Sequence, residues 1–175
     1  DFAERLFKQM QGFGDYGFPE SHAASFALLV YFSAWLKCHH PAAFYCGLLN
    51  SQPMGFYSAS QLIQDAQRHQ VPVNSIDINR SEWDYTLEYQ AAQSTKELRI
   101  GFRQIKGLNR DSIEQLIELR KTASFSSASD LITRSKLPRD QVDHLISSGA
   151  FEALDGHRRR SHWHVQGVQE HILSQ

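Results

Sequence analysis

The chain is 175 residues long with a formal net charge of −1, 41% apolar and 21% charged residues, ordinary figures for a globular protein with room for one large core or two small ones. Its two cysteines, Cys38 and Cys46, are too few for a disulfide framework and point to a reducing, cytoplasmic setting. No signal peptide, lipidation motif or run of roughly 20 apolar residues stands out, so no membrane partner is expected, and a chain that opens on Asp1 and closes on Ser-Gln reads as a piece of a longer protein.

Along the chain, Phe2, Leu6, Phe7 and Met10 recur at helical spacing, and the three glycines and the proline of "GFGDYGFP" are expected to break that helix. Glu20 or Ser21 can cap the next helix, which runs to about Cys38 before His39, His40 and Pro41 stop it. Its body, with Phe26, Leu29, Val30 and Trp35, is apolar but too short and too interrupted by Ser25, Ser33 and Lys37 for a bilayer, so a buried helix is expected. Pro41 opens a further helix in its first turn, and "SQPMGFY" is a turn. "SASQLIQDAQRHQV" follows as an amphipathic helix with Leu62, Ile63 and Ala66 on one face.

The period then shortens to two. Trp83, Tyr85, Leu87 and Tyr89 alternate with polar residues, as do Leu98, Ile100 and Phe102, which predicts a β-hairpin closed by the loose loop "QAAQSTKE". The upstream "VPVNSIDIN" is extended and can add a short strand. After Phe102 the chain is helical in short pieces. "QIKGLNRDSIEQLIELRK" has a Gly-centred turn and then a helix with Ile113, Leu116, Ile117 and Arg120 at i, i+3, i+4 and i+7. "SFSSASDLITRSKLPRDQVDHLISSGAF" follows the plan more loosely: a short helix, a turn at Leu137-Pro138-Arg139, and a helix carrying Val142, Leu145 and Ile146 that Gly149 closes. Two helix-turn-helix units in tandem are expected, without a sequence repeat of fixed period.

Charge divides along the same line. Residues 1–94 carry five Lys and Arg against nine acids, whereas residues 95–175 carry thirteen against ten, with five of the nine histidines. This suggests two modules, the second facing a polyanion, although a mildly basic solvated face would look the same.

"IKGLNRDS" resembles the hairpin of a helix-hairpin-helix motif, where a glycine-bearing turn lets backbone N–H groups converge beside a helix N-terminus and cradle a phosphate. Gly107 takes the first glycine position, and Asn109 replaces the second on the expectation that it adopts the left-handed conformation. Lys106 and Arg110 flank the turn, so Lys106, Gly107, Leu108, Asn109 and Arg110 are the candidate DNA-binding residues; the competing reading is an ordinary loop between packed helices. "KLPRDQ" lacks both glycines and is expected to be mainly structural, with Lys136 and Arg139 as peripheral phosphate contacts. No Asp-x-Asp pair, P-loop or GxSxG is present, so no catalytic residue is assigned. Cys38, His39, His40 and Cys46 do not have zinc spacing, so no metal ligand is assigned either. "HRRRSHWH" from His157 to His164 reads as an exposed connector that can touch a nucleic-acid backbone.

The order of these parts carries a resemblance. "GFGDYGFPESHAASFALLVYFSAWLKCHHPAAFYCGLLNSQ" resembles the fingers segment of the bacterial C-family DNA polymerases, the α-subunit type of DNA polymerase III, in which a Gly-Tyr-Gly-Phe-x-x-Ser-His segment opens a fingers helix followed by Trp-Leu-Lys-x-x-x-Pro. "ELRIGFRQIKGL" is similar to the passage into that family's tandem helix-hairpin-helix units. "NSQPMGFY", "SEWDYTLE" and "GAFEALDGHRRRSHW" are most like the error-prone, damage-inducible branch.

The resemblance implies a mainly α fold: helical fingers over residues 1–75, a β-hairpin connector over 76–102, a tandem helix-hairpin-helix DNA-binding module over 103–155, and a linker over 156–175. It implies a DNA-directed DNA polymerase engaged in translesion synthesis as the parent, with Mg²⁺ in a palm outside these residues, no cofactor within them, and no polymerisation by the fragment alone. Its partners would be a DNA primer-template and deoxynucleotides, and accessory proteins of a mutagenesis cassette and the sliding clamp are open as further ones. Ser21 and His22, at a helix N-terminus after a Gly-Pro turn, are candidates for contacting the nucleotide or nascent pair, against the plainer reading of a helix cap and a local hydrogen bond. Val142 and Leu145 of the faintly clamp-peptide-like "QVDHL" are expected to face the local core instead. Two rivals remain: the replicative α subunit, and a free-standing helix-hairpin-helix DNA-binding or scaffold module.

Overall fold

The computed structural model describes residues 2–15, 20–90 and 95–155, and the chain divides into two compact units, Asp1–His40 and Pro41–Gln175. The boundary expected near residue 75 lies inside the second. The basic run from His157 to His164 and the linker expected over 156–175 lie outside the described residues.

The first unit holds two helices, α1 (Phe2–Asp15) and α2 (Glu20–His39). Helix α1 passes through Gly12 and Gly14 instead of breaking there, because a glycine inside a helix costs only about 1 kcal/mol. Helix α2 already includes Glu20 and Ser21, so neither is its cap. The expectation of a buried α2 also fails: Phe26, Leu29, Val30 and Trp35 are all exposed, Val30 by 65%. A helix that is apolar on every side needs neighbours all round, which a single fourteen-residue helix does not supply.

The second unit begins with α3 (Pro41–Asn50) and α4 (Ala59–Arg68). Pro41 stands in the first turn of α3, where its missing N–H costs nothing. Ser58 and Gln61 cap each other's backbone at the start of α4. Between the helices the turn is held by Gln52, whose Nε2 donates to the Tyr57 carbonyl at 3.0 Å, and Gly55 supplies a φ of +56°. Arg103 fastens this turn from outside by donating to the carbonyls of Asn50 and Gln52, both at 2.9 Å, while pairing with Asp84 at 2.7 Å.

Three strands follow in the order β1-β3-β2: β1 (Val73–Asn74) runs parallel to β3 (Thr95–Arg99), and β2 (Thr86–Gln90) runs antiparallel to it, with Leu87 opposite Leu98. The strands reach further into the expected loop than the alternation suggested, and Ile100 and Phe102 lie beyond β3. Leu98 points into a core shared with Tyr45, Leu49, Ala66, Val71 and Tyr85. The sheet is therefore the second layer of the α3–α4 pair as well as a passage between modules. On its other face Arg99, nearly buried, grips Glu88 through two hydrogen bonds of 2.9 and 2.7 Å, and the Asn74 amide donates to Glu88 and Glu97. The Arg99 hydrogen bond is the main reason that the Glu88 carboxyl sits below its ordinary pKa.

Gly101 then passes so close to β2's approach that a Cβ there would lie 2.4 Å from the Asp84 carbonyl carbon, a backbone contact that cannot give way. This turns Phe102 out of the sheet and into a second core with Ile78, Ile113, Leu116, Phe125, Leu131, Val142, Leu145 and Phe151. A short 3-10 turn (Phe102–Gln104) and four helices build it: α5 (Arg110–Thr122), α6 (Ala128–Ser135), α7 (Arg139–Ser147) and α8 (Glu152–Asp155). Fully burying a phenylalanine such as Phe102 contributes about 1.5–3 kcal/mol. Arg120 and Asn79 stitch the core's rim. Arg120 donates to the carbonyls of Ile78 and Ser81 and pairs with Glu82, and Asn79 exchanges two 2.8 Å bonds with the Phe125 backbone.

Candidate nucleic-acid interface

Two tight turns in the second core carry the basic residues singled out from the sequence. The first joins the 3-10 turn to α5; the second joins α6 to α7. They match position by position: Gly107 and Lys136 both have positive φ, +87° and +50°; Leu108 and Leu137 follow, both packed against the core; Asn109 and Pro138 are extended N-caps; Arg110 and Arg139 begin the next helix, each paired with an acid one turn on. The repeated plan is thus a structural repeat. The first of the two hairpin repeats is abbreviated, with a three-residue 3-10 turn in place of a leading helix.

Gly107 takes the left-handed conformation expected of it. Asn109 does not: at φ −85° and ψ 125° it is extended, and its side chain accepts from Ser112 N–H at 3.0 Å as the cap of α5. Asn favours both roles, and here the unsatisfied N–H groups of a new helix decide between them. Gln141, on α7 and nearly buried, closes the turn. Its Oε1 accepts from Asn109 N–H at 2.7 Å and its Nε2 donates to the Gly107 carbonyl at 2.9 Å. The Asn109 N–H is therefore engaged, whereas those of Lys106, Gly107 and Leu108 have no hydrogen bond to any described residue.

The side chains divide accordingly. Lys106 is exposed and forms no ion pair with a described residue. Leu108 is half-buried against the core. Arg110 turns along its own helix: Nε donates to Glu114 at 2.7 Å, and its guanidinium lies 5.9 Å from the Trp83 ring centre. His144, one helical turn beyond Gln141, brings its ring against Gly107, where a Cβ would come within 2.7 Å of Nε2. The sequence pattern points to neither Gln141 nor His144, since both lie more than thirty residues from the turn they complete. Gln141, Val142 and Leu145 are buried, as core residues of α7 and not as an open peptide.

Along α5 an open groove is lined by Glu82, Asp84, Asp111, Glu114 and Glu118. Four of these acids are paired, with Arg120, Arg103, Arg110 and Lys121 respectively. Among the described residues no group of three or more His, Cys, Asp or Glu side chains is placed to hold a metal. Cys46 is buried with its thiol donating to the Tyr85 carbonyl, and burial pushes its pKa up, further raised by Asp84. In the first unit, the Ser21 side chain lies outside the described residues; His22 is exposed in the first turn of α2, with its ring 4.4 Å from that of Phe26.

Two cap-and-turn units around one core define a class. The family model described as the helix-hairpin-helix motif matches residues 70–161, more than half of the chain, and the chain belongs to that family. Its relatives are more particular. A protein of Alkalilimnicola ehrlichii called error-prone DNA polymerase is 51% identical over 169 residues, covering 97% of this chain and 16% of the relative. Those of Methylococcus capsulatus and Azoarcus sp., with the same name, are 49% and 52% identical over 96% of the chain and cover 18% and 16% of the relatives. The chain thus spans about a sixth of the length of the curated relatives it matches. The resemblance to the error-prone branch, read from motifs, holds over nearly the whole chain.

Proposed function

We propose that this chain is the part of an error-prone DNA polymerase that grips duplex DNA by its phosphates, and that the longer polypeptide is a DNA-directed DNA polymerase acting in damage-induced synthesis. What carries the reading is the first hairpin, just ahead of α5: backbone N–H groups at Lys106 and Gly107 that bond to no described residue, beside an exposed lysine that pairs with no described acid. Such an arrangement holds a phosphate oxygen by geometry and charge without reading a base. Lys136 and Arg139 on the second hairpin would add peripheral contacts.

Nucleotidyl transfer in the parent would use Mg²⁺ held by carboxylates outside these residues; the paired acids beside α5 do not fit that task, so no step is routed through them. Deoxynucleotides would be substrates of the parent, the cytoplasm its place, and accessory mutagenesis proteins and the sliding clamp its partners. No helix of the described residues is long and apolar enough to cross a membrane. His22, exposed at the opening of α2, keeps a role at the nucleotide or nascent pair open, with Ser21 beside it. Replacing His22 by Ala in the parent should raise the KM for deoxynucleotide and leave primer-template affinity unchanged.

The test of the main reading is fluorescence anisotropy of a labelled primer-template with the 175-residue chain across a salt series. Lys106→Glu should weaken binding and flatten the salt dependence by about 0.9 in log–log slope, the contribution of one phosphate contact. Equal binding by wild type and Lys106→Glu would remove the first hairpin from the interface.

A further inference from the structure

The first hairpin is finished by side chains from the second unit. Gln141 and His144 stand three residues apart on α7 and meet the same turn, one bracing its backbone and the other laying an imidazole against its glycine. We propose that His144 is itself a phosphate ligand of the first hairpin, which makes the grip on DNA composite and dependent on pH. The proposal rests on the phosphate-binding reading above.

Three observations support it. The ring tip approaches the left-handed glycine so closely that no side chain fits between them. The residue is exposed, and neither ring nitrogen bonds to a described residue, so a donor is free where a phosphate held by the Lys106 and Gly107 N–H groups would sit. Its surroundings also favour an incoming anion. On the hairpin side the charged groups are Lys106, Arg110, which is paired with Glu114, and Asp111, which follows Arg110 in the first turn of α5. On α7 and the turn before it they are Lys136, Arg139, Asp140 and Asp143. Asp143 faces Arg139 at 3.8 Å, and Asp140 accepts from Gln141 at 3.2 Å. Both acids of α7 are engaged by neighbours, whereas Lys106 pairs with no described residue. A histidine changes charge within the range from pH 5 to 8, so protonation would add a second cation beside Lys106.

The experiment compares the wild-type chain with His144→Gln, His144→Lys, His144→Glu and Lys106→Glu by anisotropy of a labelled DNA duplex, at about pH 6 and about pH 8 and constant ionic strength. The wild type should bind several-fold more tightly at the lower pH. His144→Gln should lose most of that difference, His144→Lys should bind tightly at both values, and His144→Glu should bind weakly at both, with a salt slope smaller than that of the wild type by about 0.9 at the lower pH. The ring is exposed, so all three variants should keep the wild-type unfolding midpoint. A pH response retained in His144→Gln, or wild-type affinity in His144→Glu, overturns the proposal. If Lys106→Glu weakens binding while the His144 variants do not, only the role of His144 falls; if none of them changes binding, the hairpin reading falls with it.

Discussion

At the apex of one hairpin stands Gly107 at φ +87°, and at the apex of the other Lys136 at φ +50°. After each apex come a leucine in the core, an extended cap and an arginine, yet the two turns reach this backbone by different chemistry. The first uses a glycine that relieves strain and leaves room for His144, an Asn cap that accepts a hydrogen bond, and a glutamine from afar that locks the turn. The second accepts a lysine in the left-handed region, at roughly 1–2 kcal/mol, and uses a proline cap with no side-chain hydrogen bond and no N–H to offer. A hairpin trace is therefore compatible with two states of the turn: one with free donors at the apex, the other with a rigid corner. The difference predicts that the first is the ligand-bearing turn and the second the frame that holds it.

The sharpest way to break this contrast is to exchange the apices. Gly107→Ala should destabilise the chain by about 1–3 kcal/mol in urea unfolding, because a left-handed φ and contact with His144 add up. Lys136→Gly should be neutral or stabilising, since relief of strain opposes the greater freedom of glycine in the unfolded chain. Equal costs would mean that the two turns are under the same constraint. Next in size, Gln141→Ala leaves the Asn109 N–H and the Gly107 carbonyl without their partner and should cost about 1–3 kcal/mol. Asn109→Ala should cost about 1 kcal/mol through the lost cap. Pro138→Ala has no cap bond to lose and should cost about 0.5 kcal/mol through the unfolded chain.

The smallest effect separates the units by pH. The Ser126 N–H, and after it Arg134, hold the Asp130 carboxyl below its ordinary pKa at the entrance to α6, the leading helix that the first hairpin repeat lacks. A depressed pKa means that Asp130 contributes fully above the unfolded-chain value of about 3.9 and loses that contribution as pH falls through the lower folded value. The stability gap between wild type and Asp130→Asn should therefore be constant from neutral pH down to about 4 and close below it. A gap that persists in strong acid would assign the effect to packing.

The sequence revealed most of the second unit because its signals are local. Pro41 opens α3, the spacing of Ile113, Leu116 and Ile117 turns a face of α5 inward, and Gly149 at φ +83° ends the run after α7. Alternation found the hairpin of β2 and β3 but not its exact ends, since Ile100 and Phe102 are apolar for a different core. Helix α2 misled because apolarity records the need for a neighbour without supplying one. At the candidate interface Gly107 was legible as a left-handed residue, whereas Lys136 was not, as lysine carries no such preference. Asn109 is ambiguous by nature, between left-handed residue and cap. Gln141 and His144 act across the tertiary fold, and nothing in their immediate neighbours distinguishes them from other polar residues of a helix.

The path of the chain between the two cores has a further consequence. Val71 belongs to the sheet core, Ile78 to the helical one, Tyr85 and Leu98 to the sheet core again, and Phe102 to the helical one, so the backbone changes sides three times within about thirty residues. Each core thus borrows residues whose sequence neighbours are committed to the other, and Gly101 fixes the last crossing against Asp84. Neither core can melt without pulling on the other's strands. Residues 41–155 are expected to lose their structure in one cooperative transition, like a woven joint and not like beads on a string.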